Sequence, residues 1–180
     1  MLDKTLRLPV LKYGIIIGIS LIVYFILLSL YNQHTTFAFS FFNSVIIGFG
    51  IYKAISAFKL DEGNKYITAE GFKVGLFTGF FATIVHASFF TLYISKFDLK
   101  FAETFFEDSF EPIIVNNNSA AYKAEFFSMI KSFIDFEMPA ITTFFGFLII
   151  IIFGFSTSII LTYILIKYFD LKAEKATNLT

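Results

Sequence analysis

From Val74 to Ile94 the chain carries no formally charged residue unless His86 is protonated. As a helix this run is about 31 Å long, the thickness of a bilayer's hydrocarbon core. Gly71, Gly75 and Gly79 recur at every fourth position along the stretch, and Ala82 and His86 continue nearly the same face. A strip of small residues on an otherwise apolar helix is a surface on which a second helix packs inside a membrane. Residues 72–94 are therefore the best membrane span in the chain.

Three more runs have comparable length, giving expected spans at 13–31, 37–58, 72–94 and 140–166. Of the 180 residues, 57% are hydrophobic and 16% charged, a balance far from that of a water-soluble domain. The expected fold is all-α: one integral membrane domain over 1–180, a four-transmembrane-helix bundle. The first run follows Lys4, Arg7 and Lys12, as in a signal peptide or a first membrane helix. Its length and the absence of a small-x-small cleavage site in Ser29 to Thr36 favour the helix. Lys53 lies near the end of the second run, where its stem can carry the ammonium to the headgroups.

Residues 95–139 differ, mixing eight acids with four lysines, and no part of the segment is long enough to span. Apolar residues at helical spacing on both sides of Pro112 predict two amphipathic helices, on the bilayer surface or over the mouth of the bundle. Pro139 suits the first turn of the last helix. Four spans place the N-terminus, the 59–68 connection and the C-tail on one side. With their flanks they hold ten of the 14 basic residues but six of the 14 acids. Positive charge marks the cytoplasmic side, so both termini are expected inside and 95–139 outside. The formal net charge of zero gives no reason to expect a nucleic-acid partner.

Lys12-Tyr13-Gly14 with Gly18, and Lys73-Val74-Gly75 with Gly79, repeat one pattern 61 residues apart. A duplication would make two parallel hairpins, but spans two and four match poorly. Gly14, Gly18, Gly71, Gly75, Gly79 and Ala82 are expected to serve helix packing. A glycine face could equally meet a second copy of the chain or another membrane protein.

His86 is the main candidate for chemistry, since an ionisable side chain near mid-membrane is expensive to keep. An imidazole there can relay protons or hold a ligand. The alternative is a neutral histidine hydrogen-bonded across the bundle, with Asn43 as partner. By helix rise His86 lies about 12 Å and Asn43 about 9 Å below the outer ends of their spans. His34, in the short outer loop, is expected to be solvated. The two histidines make no zinc pattern, and cysteine is absent, so neither metal nor cofactor is expected. Ser88, Thr83, Ser158 and Thr162 are expected to bond their own helix backbone, and no base accompanies them as a nucleophile requires.

With its four spans, the early Lys12-Tyr13-Gly14, a charged connection after span two, the stretch Ile67-Thr68-Ala69-Glu70-Gly71-Phe72-Lys73-Val74-Gly75 and a long segment before span four, the chain resembles domain-of-unknown-function family 4199. That resemblance implies a small integral protein of a bacterial inner membrane, mainly in Bacteroidetes, and implies no catalytic residues. The function expected from the residues is a non-enzymatic accessory or scaffold acting through helix contacts in the lipid bilayer. The alternative is a small transporter or channel with a polar site around His86 and Asn43.

Overall fold

A computed structural model of the chain describes residues 4–34, 36–62, 68–98, 125, 128 and 139–177. Every regular element among them is helical: α1 (Lys4–Leu30), α2 (Ser40–Glu62), α3 (Thr68–Lys96) and α4 (Pro139–Thr177), with a single 3-10 turn (Phe37–Phe39) before α2. All four α-helices are long and apolar enough to cross a membrane, so the chain is a multi-pass membrane protein. Their charged flanks extend the helices past the apolar runs, because Lys and Glu are good helix formers whose heads can reach water. Pro139 opens α4, as its fixed φ and missing N–H favour. Pro9 lies near the start of α1, where few backbone bonds are at stake. The expected amphipathic helices fall on 95–139, outside the described residues except for the end of α3, Glu125 and Ser128.

α3 packs against all three other helices, and α1 and α4 share no comparable interface. The glycines show why. A Cβ at Gly14 would meet Phe81 Cβ at 2.9 Å and Thr78 O at 3.2 Å, and one at Gly18 would meet Val85 at 2.7 Å and Ala82 O at 3.3 Å. α1 therefore lies parallel to α3 and close to its backbone. On the other side, a Cβ at Gly75 would meet Thr162 at 2.7 Å, one at Gly79 would collide with Ser158, and one at Gly154 would meet Thr83 at 2.5 Å. Each step of four residues up α3 is matched by a step of four down α4, an antiparallel interdigitation of small residues. α2 closes the bundle, with Ile17 of α1 seated on Gly50 and Ile51 packed against Gly75 and Gly79. The start of α1 and the end of α4 thus lie at one end of the bundle, called the terminal end, and the α1–α2 connection at the other, the loop end.

Most of the buried core lies at the terminal end and in the middle, with Phe25 buried nearer the loop end. Its main group is Ile17, Leu21, Ile47, Ile51, Ile55, Ala82, Ile166 and Phe169, with a second group of Val10, Ala54, Phe58 and Val74. Tyr52 stacks on Phe169 at 5.4 Å between centroids. Lysines near this end lie over aromatic rings, among them Lys53 over Phe49 and Lys167 over Tyr163, so their stems cover apolar surface while the ammonium groups reach toward water. The outward faces of α1 and α4 are apolar, with Ile15, Ile19, Val23, Ile152, Phe153 and Ile160 exposed, as contact with lipid requires.

Candidate functional site

Polar side chains meet across helices at both ends of the bundle: at the terminal end Thr68 Oγ1 donates to Asp170 Oδ1 (3.1 Å) between α3 and α4, and a denser group lies at the loop end. α1 closes with Asn32 at a φ of 53°, the left-handed region that asparagine tolerates. Gln33 N–H donates to Leu28 O (2.8 Å) and Asn32 N–H to Ser29 O (3.0 Å), a Schellman cap. The chain thereby turns toward the end of α3. There His34 Nε2 lies 2.8 Å from Asp98 Oδ2, with side chains only 11% and 24% exposed. A helical turn below, Ser29 Oγ and Tyr93 Oη are 2.5 Å apart. The expectation of a solvated His34 is thus corrected: the cap swings the imidazole over α3, where a carboxylate meets it.

Phe25 lies beneath these bonds as the hub of a ring cluster. Its centroid is 5.0 Å from Tyr93, 5.3 Å from Phe90, 5.8 Å from His34 and 6.5 Å from His86, all in edge-on geometry. The two histidines therefore flank one phenyl ring, His34 toward the mouth and His86 toward the membrane interior. Sequence reading missed Phe25, Ser29, Tyr93 and Asp98. The signal that finds them is a constant separation of 64 residues between partners on α1 and α3, for Phe25 with Phe89, Ser29 with Tyr93 and His34 with Asp98.

His86 Nε2 is buried and, among the described residues, has no hydrogen-bond partner, Asn43 included. Asn43 is half-buried on α2, and the ring neighbours of His86 are Phe25 and Phe90. The hydroxyls behave in two ways. Thr83, Ser88 and Ser158 donate to the carbonyls of Gly79, Ile84 and Gly154, four residues back. Thr78 and Thr162, fully buried, leave their oxygens unpartnered among the described residues. Gly71, Gly75, Gly79 and Ala82 are all buried in α3, and Gly14 and Gly18 in α1. Among the described residues no three potential metal ligands come together.

The model of one family, "Protein of unknown function (DUF4199)", matches residues 12–167, and the chain belongs to that family. No curated protein and no solved structure matches it.

Proposed function

We propose that this member of a family of unknown function is a non-enzymatic accessory or scaffold protein of a bacterial inner membrane, acting through helix contacts within the bilayer. The interdigitation of Gly75, Gly79 and Thr83 with Thr162, Ser158 and Gly154 carries this reading. It uses up the α3 glycine face inside the monomer, while the outer faces of α1, α2 and α4 are apolar and exposed. Contacts with a partner protein or a second copy would then form on those faces. A photo-crosslinker at Phe153 or Ile160, both exposed on α4, should give a discrete adduct in native membranes. Adducts with lipid alone from every outward position of α1, α2 and α4 would count against the proposal.

Both termini are assigned to the cytoplasm, because the basic residues concentrate at the terminal end. A reporter fused to the C-terminus that is active only in the periplasm should be silent. The second reading, a small transporter or channel, is favoured by the unpartnered Nε2 of His86. Flux in proteoliposomes that is lost in His86→Ala would establish it, and equal flux in both proteins would remove His86 from any pathway.

A further inference from the structure

We propose that the seam between α2 and α4 at the terminal end binds an anionic phospholipid, its phosphate drawn to Lys59 and Lys172 and its acyl chains lying along the apolar seam below. This requires only that the chain spans the bilayer, and it holds whether the protein is a scaffold or a transporter.

The first ground is the seating of Lys59. Lys12, Lys53 and Lys167 lie over Tyr13, Phe49 and Tyr163, rings of their own helices. Lys59 instead reaches from α2 to α4, its Nζ 5.6 Å from the ring centroid of Phe169. Phe169 is buried and stacks on Tyr52 of α2, so Lys59 stands half-buried in the seam on an aromatic floor. Its ammonium carries three N–H donors, and a ring face engages only one side of it. The second ground is level and charge. Lys59 is the last residue but one of the apolar stretch Ser40–Leu60, and Lys172 the last of Gly146–Lys172, so both stand where the hydrocarbon ends and lipid phosphates lie. Lys172 is exposed and follows Phe169 by three residues, which puts the two on one face of α4. Asp170, next to Phe169, faces α3 instead and accepts a hydrogen bond from Thr68. The third ground is room below the lysines. A Cβ at Gly48 of α2 would only touch Leu161 of α4, at 3.5 Å, whereas one at Gly79 of α3 would collide with Ser158 of α4. α2 and α4 are thus less tightly packed than α3 and α4, and Tyr52, Leu161 and Leu165 along their seam are half-buried. An apolar seam beneath two lysines at headgroup level matches a lipid with a negative headgroup.

The chain has no tryptophan, so Tyr168→Trp, exposed beside Phe169, is a single fluorescent reporter of the seam. The full-length protein is placed in vesicles of phosphatidylglycerol and phosphatidylcholine in which one lipid or the other carries brominated chains that quench tryptophan on contact. A lysine near the surface strengthens binding of an anionic headgroup about fivefold, so with two lysines Tyr168→Trp should report a preference for phosphatidylglycerol of about thirtyfold. Tyr163→Trp, exposed beside Lys167, should report about fivefold. Adding Lys59→Gln or Lys172→Gln should each lower the seam preference about fivefold without changing that at Tyr163→Trp, and Lys53→Gln should leave both as they were. Tyr52→Trp takes the place of Tyr168→Trp if that protein does not accumulate. The proposal is overturned if the two reporters show the same preference or if neither lysine variant lowers the seam value. It is also overturned if neither brominated lipid quenches the seam reporter, which would mean that a protein surface covers the seam.

Discussion

Gly79→Ala adds one methyl group at the tightest point of the α3–α4 interface. The new Cβ would collide with Ser158 and lie 3.2 Å from Ile51 Cδ1. Ser158 cannot simply rotate away, because its hydroxyl bonds Gly154 O at 2.7 Å and the residue is fully buried. Inserting a methyl into a packed core costs about 1–3 kcal/mol, against which better helix propensity returns at most about 1 kcal/mol. A net loss of about 1–2 kcal/mol is expected, or roughly five- to thirtyfold in the folding equilibrium. Gly48→Ala provides the comparison, since its Cβ would only touch Leu161 at 3.5 Å, an ordinary contact, and should be neutral or slightly stabilising. Equilibrium unfolding in mixed detergent micelles measures both. Gly79→Ala combined with Ser158→Gly should recover most of the loss, a coupling expected of residues in contact. If Gly79→Ala matched Gly48→Ala in stability, or Ser158→Gly gave no rescue, the interdigitation would not be what holds α3 to α4.

Two further substitutions probe the loop end. Asn32→Ala, at a φ of 53°, should lower stability by about 1 kcal/mol because an alanine Cβ disfavours the left-handed region, while Asn32→Gly should not; equal thermal midpoints for both would show that the cap is not strained. Tyr93→Phe and Ser29→Ala should each cost about 1 kcal/mol and the double variant little more than either, since they share one bond. Additive losses would mean that the two groups act separately.

The four spans were legible in the sequence because bilayer thickness imposes a length and charges mark where it ends. The glycines were legible as packing positions for a similar reason, since only small residues permit helix backbones to approach. Which helix covers them was harder to read. The same four-residue spacing recurs in Gly154, Ser158 and Thr162, and that recurrence is the signal that pairs α4 with α3. Helix rise gave His86 and Asn43 a similar depth, but depth does not fix the direction in which a side chain points. His86 meets Phe25 and Phe90 instead. The His34–Asp98 bond joins residues 64 apart through a left-handed cap, and neither local composition nor periodicity carries that information.

The same separation bears on the apparent duplication. The repeated Lys-x-Gly pattern places Gly14 and Gly18 61 residues before Gly75 and Gly79, but α1 and α3 pack with partners 64 apart. Gly14 lies against the Thr78 carbonyl and Gly18 against that of Ala82. Three residues are nearly one helical turn, so the glycines of α1 stand above those of α3 rather than opposite them. Each pair is then free to accept a larger neighbour, Phe81 and Val85 for α1, Thr162 and Ser158 for α3. Two equivalent hairpins would have the α1 glycines meet α2 as the α3 glycines meet α4. Instead α2 offers its own Gly50 to Ile17 of α1. The repeated motif is therefore used for different contacts in the two halves, and that difference allows α3 to hold α1 on one face and α4 on another.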